Sequence, residues 1–316
     1  MSGTLRHRVA LLGCGLIGES WAALMTAHGH DAVLWDPAEG ALAGIAERVA
    51  ALRGQVVMAA EARLPEPGRL LIAGTAEEAA AQASWVQENA PENAALKIEL
   101  YRRVERAAPP ETPIASSTSS LTWSELAPGL ERPARLLTAH PFNPPHLMPL
   151  VEVYSPDDAV RAAAVEFYAG MGREVVLLRR DMVGHIANRL SSALWREAVH
   201  LVAEDVADVA AIDAALVHGP GLRWSVIGAH LAYHLGGGAG GIEAYLRHLG
   251  PSQERRWASL GTPALTAELC ERLVRGVEAE AAGRPIPELA AQRDRALIRM
   301  LAVRREERRE ERGDER

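Results

Sequence analysis

The stretch Ala139-His140-Pro141-Phe142-Asn143-Pro144-Pro145-His146-Leu147-Met148-Pro149-Leu150-Val151-Glu152-Val153 puts a histidine at the end of one strand and a carboxylate in the next short apolar run. A histidine can take an alcohol proton near neutral pH when its ring is held in one tautomer. A carboxylate bonded to the far ring nitrogen fixes the ring and stabilises its charged form. His140 and Glu152 have the types and order of such a base and partner. In isolation they would read more simply as a core histidine and a strand-end glutamate; the neighbouring segments shift that balance.

The apolar run Arg8-Val9-Ala10-Leu11-Leu12 leads directly into Gly13-Cys14-Gly15-Leu16-Ile17-Gly18 and then a helical pattern from Glu19 to His28. This is a dinucleotide fingerprint in its required context. Gly13 permits the tight turn, Gly15 the approach of a pyrophosphate, and Gly18 close packing of helix on strand, while the helix start offers amides to the phosphates. A second strand, Ala32-Val33-Leu34-Trp35, ends in Asp36. An acid at about twenty residues from the fingerprint receives the adenosine ribose hydroxyls, so the pattern predicts NAD rather than NADP.

The chain has 316 residues, ordinary apolar and charged fractions and a net charge of -7, with no basic stripe, which argues against nucleic-acid binding. No apolar run reaches the length of a membrane span. With Arg6, His7 and Arg8 entering a strand at once, no signal peptide is expected, and the cytoplasm is the default location. Cys14 and Cys270 make neither a disulfide framework nor a metal site, so both are expected to be structural. The mixed charge run Arg304 to Arg316 reads as a frayed helix end or solvated tail.

Further strands are expected at Leu70 to Ala73, Ser84 to Glu88, Pro113 to Ser116, Arg135 to Ala139, Leu150 to Tyr154 and Glu174 to Leu178. Their alternation with helical segments predicts a doubly wound sheet. After Asp181 only helices follow, over Gly184 to Asp205, Val206 to Val217, Arg223 to Leu235, Gly241 to His248, Ala267 to Ala282 and Ile286 to Arg304. The fold class is therefore α/β, a Rossmann-type domain over residues 1–183 followed by an all-α domain over 184–316 for substrate and dimer contacts. The glycine run Gly236 to Gly241 is read as a break between two helices.

A hydroxyl cluster, Ala115-Ser116-Ser117-Thr118-Ser119-Ser120, follows one strand at the carboxyl edge of the sheet, where ligands bind in open α/β folds. The helical half opens with Gly184-His185-Ile186-Ala187-Asn188-Arg189-Leu190. With Ser119, His140, Asn143, Glu152 and Asn188 in this order, the chain resembles the 3-hydroxyacyl-CoA dehydrogenase superfamily over nearly its whole length. The resemblance implies His140 as catalytic base, Glu152 as its partner, and Ser119 and Asn188 as hydrogen-bonding groups at the reacting oxygen. It also implies Ser117 and Asn143 on the cofactor side, with Asn143 helping to shape the pocket. Glu88 and Lys97, the one lysine of the chain, would line the nicotinamide side of the cleft.

Departures from the superfamily narrow the substrate. Its coenzyme A enzymes carry a lysine-rich helical excursion after the second strand, whereas residues 38–63 here contain no lysine, which argues against CoA. His185 stands where the family usually has phenylalanine. Gly219-Pro220-Gly221-Leu222-Arg223-Trp224 resembles the branch of L-gulonate 3-dehydrogenase (lambda-crystallin) and L-carnitine dehydrogenase, while Pro145-His146 looks more like the actinorhodin-type polyketide ketoreductase. Arg223 is the candidate grip on a free carboxylate, and Trp224 and Tyr233 are candidate aromatic faces. The resemblance therefore implies an NAD-dependent 3-hydroxy acid dehydrogenase acting on a small free acid, and a homodimer. A polyketide ketoreductase and a non-catalytic, crystallin-like or nucleotide-sensing protein stay open as alternatives.

Overall fold

A computed structural model describes residues 6–60 and 63–312 of the chain. Two compact units emerge: residues up to Arg189 together with those from Asp294 onward, and Leu190–Arg293.

The first unit is built on eight strands: β1 (Arg8–Leu12), β2 (Asp31–Trp35), β3 (Leu70–Ile72), β4 (Trp85–Glu88), β5 (Ile114–Ser116), β6 (Leu136–Pro141), β7 (Leu150–Tyr154) and β8 (Glu174–Leu177). They form one sheet in the order β3-β2-β1-β4-β5-β6-β7-β8. The pairings from β3 through β6 are parallel, with a crossover between β1 and β4. β7 then runs antiparallel to β6, and β8 runs parallel to β7. Both faces of the central strands are covered. Val9 and Leu11 of β1 enter one apolar cluster with Trp21, Leu34 and Phe167, while Ala10 and Leu12 enter the other with Tyr101, Val104 and Ile114. That double burial explains why these strands read as continuous apolar runs rather than as alternating ones.

The covering helices are α1 (Leu16–Ala27), α2 (Ile45–Ala59), α3 (Ala76–Ala80), α4 (Ala94–Ala107), α5 (Trp123–Leu126) and α6 (Asp158–Ala169). Side chains of Thr75, Asn93 and Asp157 accept amide hydrogens at the starts of α3, α4 and α6. α1 begins at Gly15 with no side-chain cap, so its first amides keep their capacity for another acceptor. On α6, Phe167 stacks on Trp85 at 4.2 Å between ring centroids. The adjacent Tyr168 hydroxyl donates to Gln87 Oε1 at 2.6 Å.

Helices α7 (Ala187–Ala203), α8 (Val209–His218), α9 (Pro220–Trp224), α10 (Ala229–Gly236), α11 (Gly241–Ser259), α12 (Ala267–Ala281) and α13 (Ile286–Arg312) account for the rest. Two expectations need correction. Arg223 to Leu235 is not one helix: the chain breaks after Trp224 and restarts at Ala229 behind an extended Gly228. The segment from Gly241 continues to Ser259, carrying Pro251 inside it. The glycine run does separate two helices, and a Cβ at Gly237 would fall 1.8 Å from the Gly241 carbonyl oxygen. Part of the terminal charge run continues α13 to Arg312, and residues 313–316 lie outside the described residues. Among the described residues, no helix is long and apolar enough to cross a membrane.

Candidate active site

The antiparallel turn of the sheet creates the pair on which the site is built. β6 extends past Ala139 to Pro141, so His140 lies inside the ladder, directly opposite Glu152 of β7. Cross-strand neighbours share one face of a sheet, and His140 Nδ1 sits 2.9 Å from Glu152 Oε2 with both side chains buried. The other carboxylate oxygen accepts the Ile186 and Ala187 amides at 2.8 and 3.0 Å. Burial opposes the charge on Glu152, but the His140 ring and those two amides outweigh it and hold its pKa below the usual carboxylate range. An ionised carboxylate accepts only, so Nδ1 carries a ring hydrogen, and in the neutral ring Nε2 then presents a lone pair. Asn188 Nδ2 lies 3.4 Å from that Nε2 and 3.2 Å from the Ser119 carbonyl, two acceptors that fix the orientation of its amide.

Ser119 belongs to a loop organised by a residue that the sequence reading did not single out. Glu92 Oε1 accepts the Ser119 and Ser120 amides at 2.9 and 2.7 Å and the Thr118 hydroxyl at 2.6 Å. Burial works against ionising Glu92, but the Thr118 and Ser120 contacts and nearby Lys97 hold its pKa down to about 2. Its signal was present only as an acid just before the Asn93 cap of α4. Glu88 and Lys97, expected on the cleft wall, instead form a closed interior pair at 2.6 Å, with exposures of 0% and 1%. Glu88 also accepts from the Ala90 amide at 2.6 Å and from the Ser116 hydroxyl at 2.8 Å. The physical reason is position: Glu88 ends β4 between Leu12 of β1 and Ser116 of β5, inside the sheet, and Lys97 reaches it from α4. Lys97 Nζ is also 3.7 Å from Glu92 Oε2, so this interior charge supports the loop from below.

A cavity of about 410 Å³ is lined by Ile17, Asn89, Ala90, Glu92, Ser117, Ser119, His140, Pro141, Phe142, Asn143 and Asn188. It thus gathers one fingerprint residue, the hydroxyl loop and the histidine. Ser117 is oriented by Gln87 Nε2 at 2.9 Å and by Asn89 Oδ1 at 2.8 Å. At the cavity's fingerprint end, the glycines fit a dinucleotide. Gly13 has φ +90° and a Cβ there would lie 2.8 Å from the Asn89 backbone, while a Cβ at Gly18 would lie 2.0 Å from the Gly13 carbonyl oxygen. At Gly15 a Cβ would meet nothing, which leaves open space before the uncapped start of α1, where Leu16 is exposed. A diphosphate suits such a helix start. Asp36 accepts the Cys14 and Ala38 amides at 2.8 and 2.9 Å, which sets its carboxylate beside the loop. The Cys14 thiol is buried, and burial together with Asp36 pushes it up to about 12, so it stays protonated.

Arg223 and Trp224 belong to the second unit, on α9. The Arg223 side chain is exposed and has no acidic partner among the described residues. Tyr233, on α10, packs against Tyr245 at 5.0 Å between ring centroids.

Comparison with known proteins agrees with this arrangement. Residues 8–182 match the model of the 3-hydroxyacyl-CoA dehydrogenase NAD binding domain, and residues 184–277 match that of the C-terminal domain. The chain belongs to the 3-hydroxyacyl-CoA dehydrogenase family. It is an NAD-dependent oxidoreductase with the mixed sheet and helical second half of that family. The L-carnitine dehydrogenase of Streptomyces griseus is 44% identical over 298 residues, 93% of this chain and 89% of that protein. The L-carnitine dehydrogenase of Pseudomonas aeruginosa is 42% identical over 305 residues, 94% of both. Among solved structures, the NAD+-dependent 5-formyl-3-hydroxy-2-methylpyridine 4-carboxylic acid 5-dehydrogenase matches with TM-score 0.80 and 26% identity, covering 95% of this chain and 98% of its own.

The depressed Glu92 acid gives a stability test. Its folded pKa lies below the ordinary 4.5, so its contribution is present above pH 4.5 and is lost as the pH falls toward about 2. Thermal melts of wild type and Glu92→Gln across that range should show a gap in melting temperature that narrows with acidification. A gap that did not change with pH would detach the loop from the charge of Glu92.

Proposed function

We propose that this family member oxidises and reforms a small 3-hydroxy acid bearing a free carboxylate, with His140 as the general base. One observation carries the reading: His140 Nε2, its lone pair fixed by the Glu152 contact, faces Asn188 in a cavity that also contains Ser119 and reaches the fingerprint loop. The chemistry NAD supplies when bound is hydride exchange at the carbinol carbon. In oxidation, Nε2 of His140 takes the hydroxyl proton while Glu152, held ionised by two amides, stabilises the imidazolium. In reduction the protonated ring returns that proton. Asn188 and Ser119 orient the reacting oxygen, and Gly13, Gly15, Leu16, Ile17, Gly18, Asp36, Ser117 and Asn143 supply the surface for the dinucleotide.

L-Carnitine is the substrate we infer first. The relatives of that name are 39–44% identical over at least 92% of this chain, and the dehydrogenase with the similar structure is named for another carboxylic acid. A common carboxylate suits Arg223, whose planar fork matches two oxygens and has no acid beside it among the described residues. Trp224 and Tyr233, 39% and 37% exposed, offer faces for a quaternary ammonium. CoA is disfavoured because Arg48, on the segment that would meet its phosphates, is engaged by Glu19 at 2.7 Å and the Ala41 carbonyl at 3.0 Å.

A homodimer through the second unit completes the reading. Among the described residues of α8, α9 and α10 none is buried, while Trp195, Val206, Leu222, Leu235 and Trp257 are 57–65% exposed. Apolar exposure on this scale marks an interface, and a two-fold pairing of the same helices would cover it on both copies.

His140→Ala should retain NADH binding by fluorescence while turnover falls about 10²–10⁴-fold; undiminished turnover would remove the base. In a 340 nm assay with L-carnitine, Arg223→Ala should raise KM far more than it lowers kcat. A wild-type KM would sink the carboxylate role, and activity confined to an aromatic keto acid would move the protein to polyketide reduction. Sedimentation velocity should report a particle of twice the 34.0 kDa chain mass; a monomer at micromolar concentration would refute the pairing.

A further inference from the structure

The segment 185–188, where the chain enters α7, touches the base, its carboxylate partner and the hydroxyl loop. Its Ile186 and Ala187 amides grip Glu152, its Asn188 amide lies against His140 and the Ser119 carbonyl, and His185 Nε2 lies 3.0 Å from the Thr118 carbonyl oxygen. The His185 ring is 2% exposed, and its centroid is 4.9 Å from that of His140. We propose that His185 is a positioning residue for the reaction: its Nε2–H holds the Thr118 carbonyl and so keeps Ser119 in register with His140. The proposal rests on the reading of His140 as base.

A carbonyl only accepts, so the bond to Thr118 requires the hydrogen on Nε2 and leaves Nδ1 of the neutral ring as a lone pair. That Nδ1 is buried without a partner among the described residues. An orphaned buried acceptor is unfavourable, and an apolar ring of the same shape would avoid it. The imidazole therefore justifies its place through the one bond it makes. The backbone agrees, since His185 has φ +50° directly after Gly184 at +76°, a left-handed conformation uncommon outside glycine and concentrated at functional sites. The loop is thereby held from two sides: its amides by Glu92, and its Thr118 and Ser119 carbonyls by His185 and Asn188. The charged or titratable groups that act on His185 are His140, Glu152 and Glu92. Burial pushes its pKa below the usual histidine value, against the Thr118 bond, and His140 adds to the lowering while the two carboxylates oppose it, which favours the neutral ring.

The test compares full-length His185→Phe and His185→Gln with wild type by kcat, KM, NADH fluorescence titration and long-range ¹H–¹⁵N spectra of ¹⁵N-histidine protein. The Phe variant keeps the ring but cannot donate, and its kcat should fall about 10–100-fold with NADH affinity unchanged. In the Gln variant a side-chain amide can donate to Thr118, and most of the kcat should return. The wild-type spectrum should show the Nε2–H tautomer of His185. A Phe variant with wild-type kcat, a Gln variant as impaired as Phe, or a His185 ring protonated on Nδ1 would each overturn the proposal. Failure of the base reading would register separately, as a His140→Ala protein that still turns over, and the tautomer would be unaffected by it.

Discussion

The buried carboxylate of Glu152 is the point at which the three segments of the site meet. One oxygen faces the His140 ring across the antiparallel step from β6 to β7, and the other takes the two amides of Ile186 and Ala187 at the start of α7. A charge removed from water must be satisfied by such partners or it neutralises. Each partner is therefore fixed in place by the same requirement. β6 brings the histidine, β7 the carboxylate and the 185–188 turn the donors, so the geometry of the base cannot be separated from the path by which the chain leaves the sheet.

A second charge system, part buried and part at the cavity surface, supports the other wall. Lys97, Glu88 and Glu92 alternate in sign, Glu88 wholly inside and Glu92 at the cavity. Tyr101 and Ser116 also bond to Glu88, and burial and that carboxylate raise the Tyr101 pKa well above its usual value, so the phenol remains a donor. Breaking such a pair would strand an ion in the interior, which is far costlier than losing a surface pair. The hydroxyl loop carrying Ser119 is thus tied through Glu92, at the cavity surface, to a charge pair sealed in the interior.

The fingerprint end works by the opposite device, free space and unused donors. Gly15 leaves room and α1 is uncapped, whereas α3, α4 and α6 are capped by their own side chains. α2 is also uncapped, so it is the uncapped start together with the open space at Gly15 that leaves room for a ligand at α1. The second unit shows a comparable reserve in apolar form, since its helices expose large side chains that a lone domain of this size would bury.

Much of this was legible in the sequence. Glycine spacing, the acid ending β2 and continuous apolar strands depend on local chemistry, so the candidates Gly13, Gly15, Gly18 and Asp36 and the doubly wound class of the sheet could be read from the chain alone, while the strand order and the antiparallel β7 could not. His140 and Glu152 could be paired as types, though only the antiparallel register sets them opposite one another. Glu88, Glu92 and Lys97 illustrate the limit. The sequence shows two acids and a base within ten residues spanning the end of β4 and the first turn of α4, but which acid is sealed inside and which reaches the cavity depends on how α4 packs against β4. His185 is a similar case: its departure from phenylalanine was visible as a letter, while its bond to Thr118 exists because residues distant in sequence are brought within 3.0 Å by packing. Local spacing therefore determined the fold class, the NAD loop and the candidate base. Tertiary structure decided which charged groups are buried together, because desolvation and pairing depend on neighbours that sequence distance does not specify.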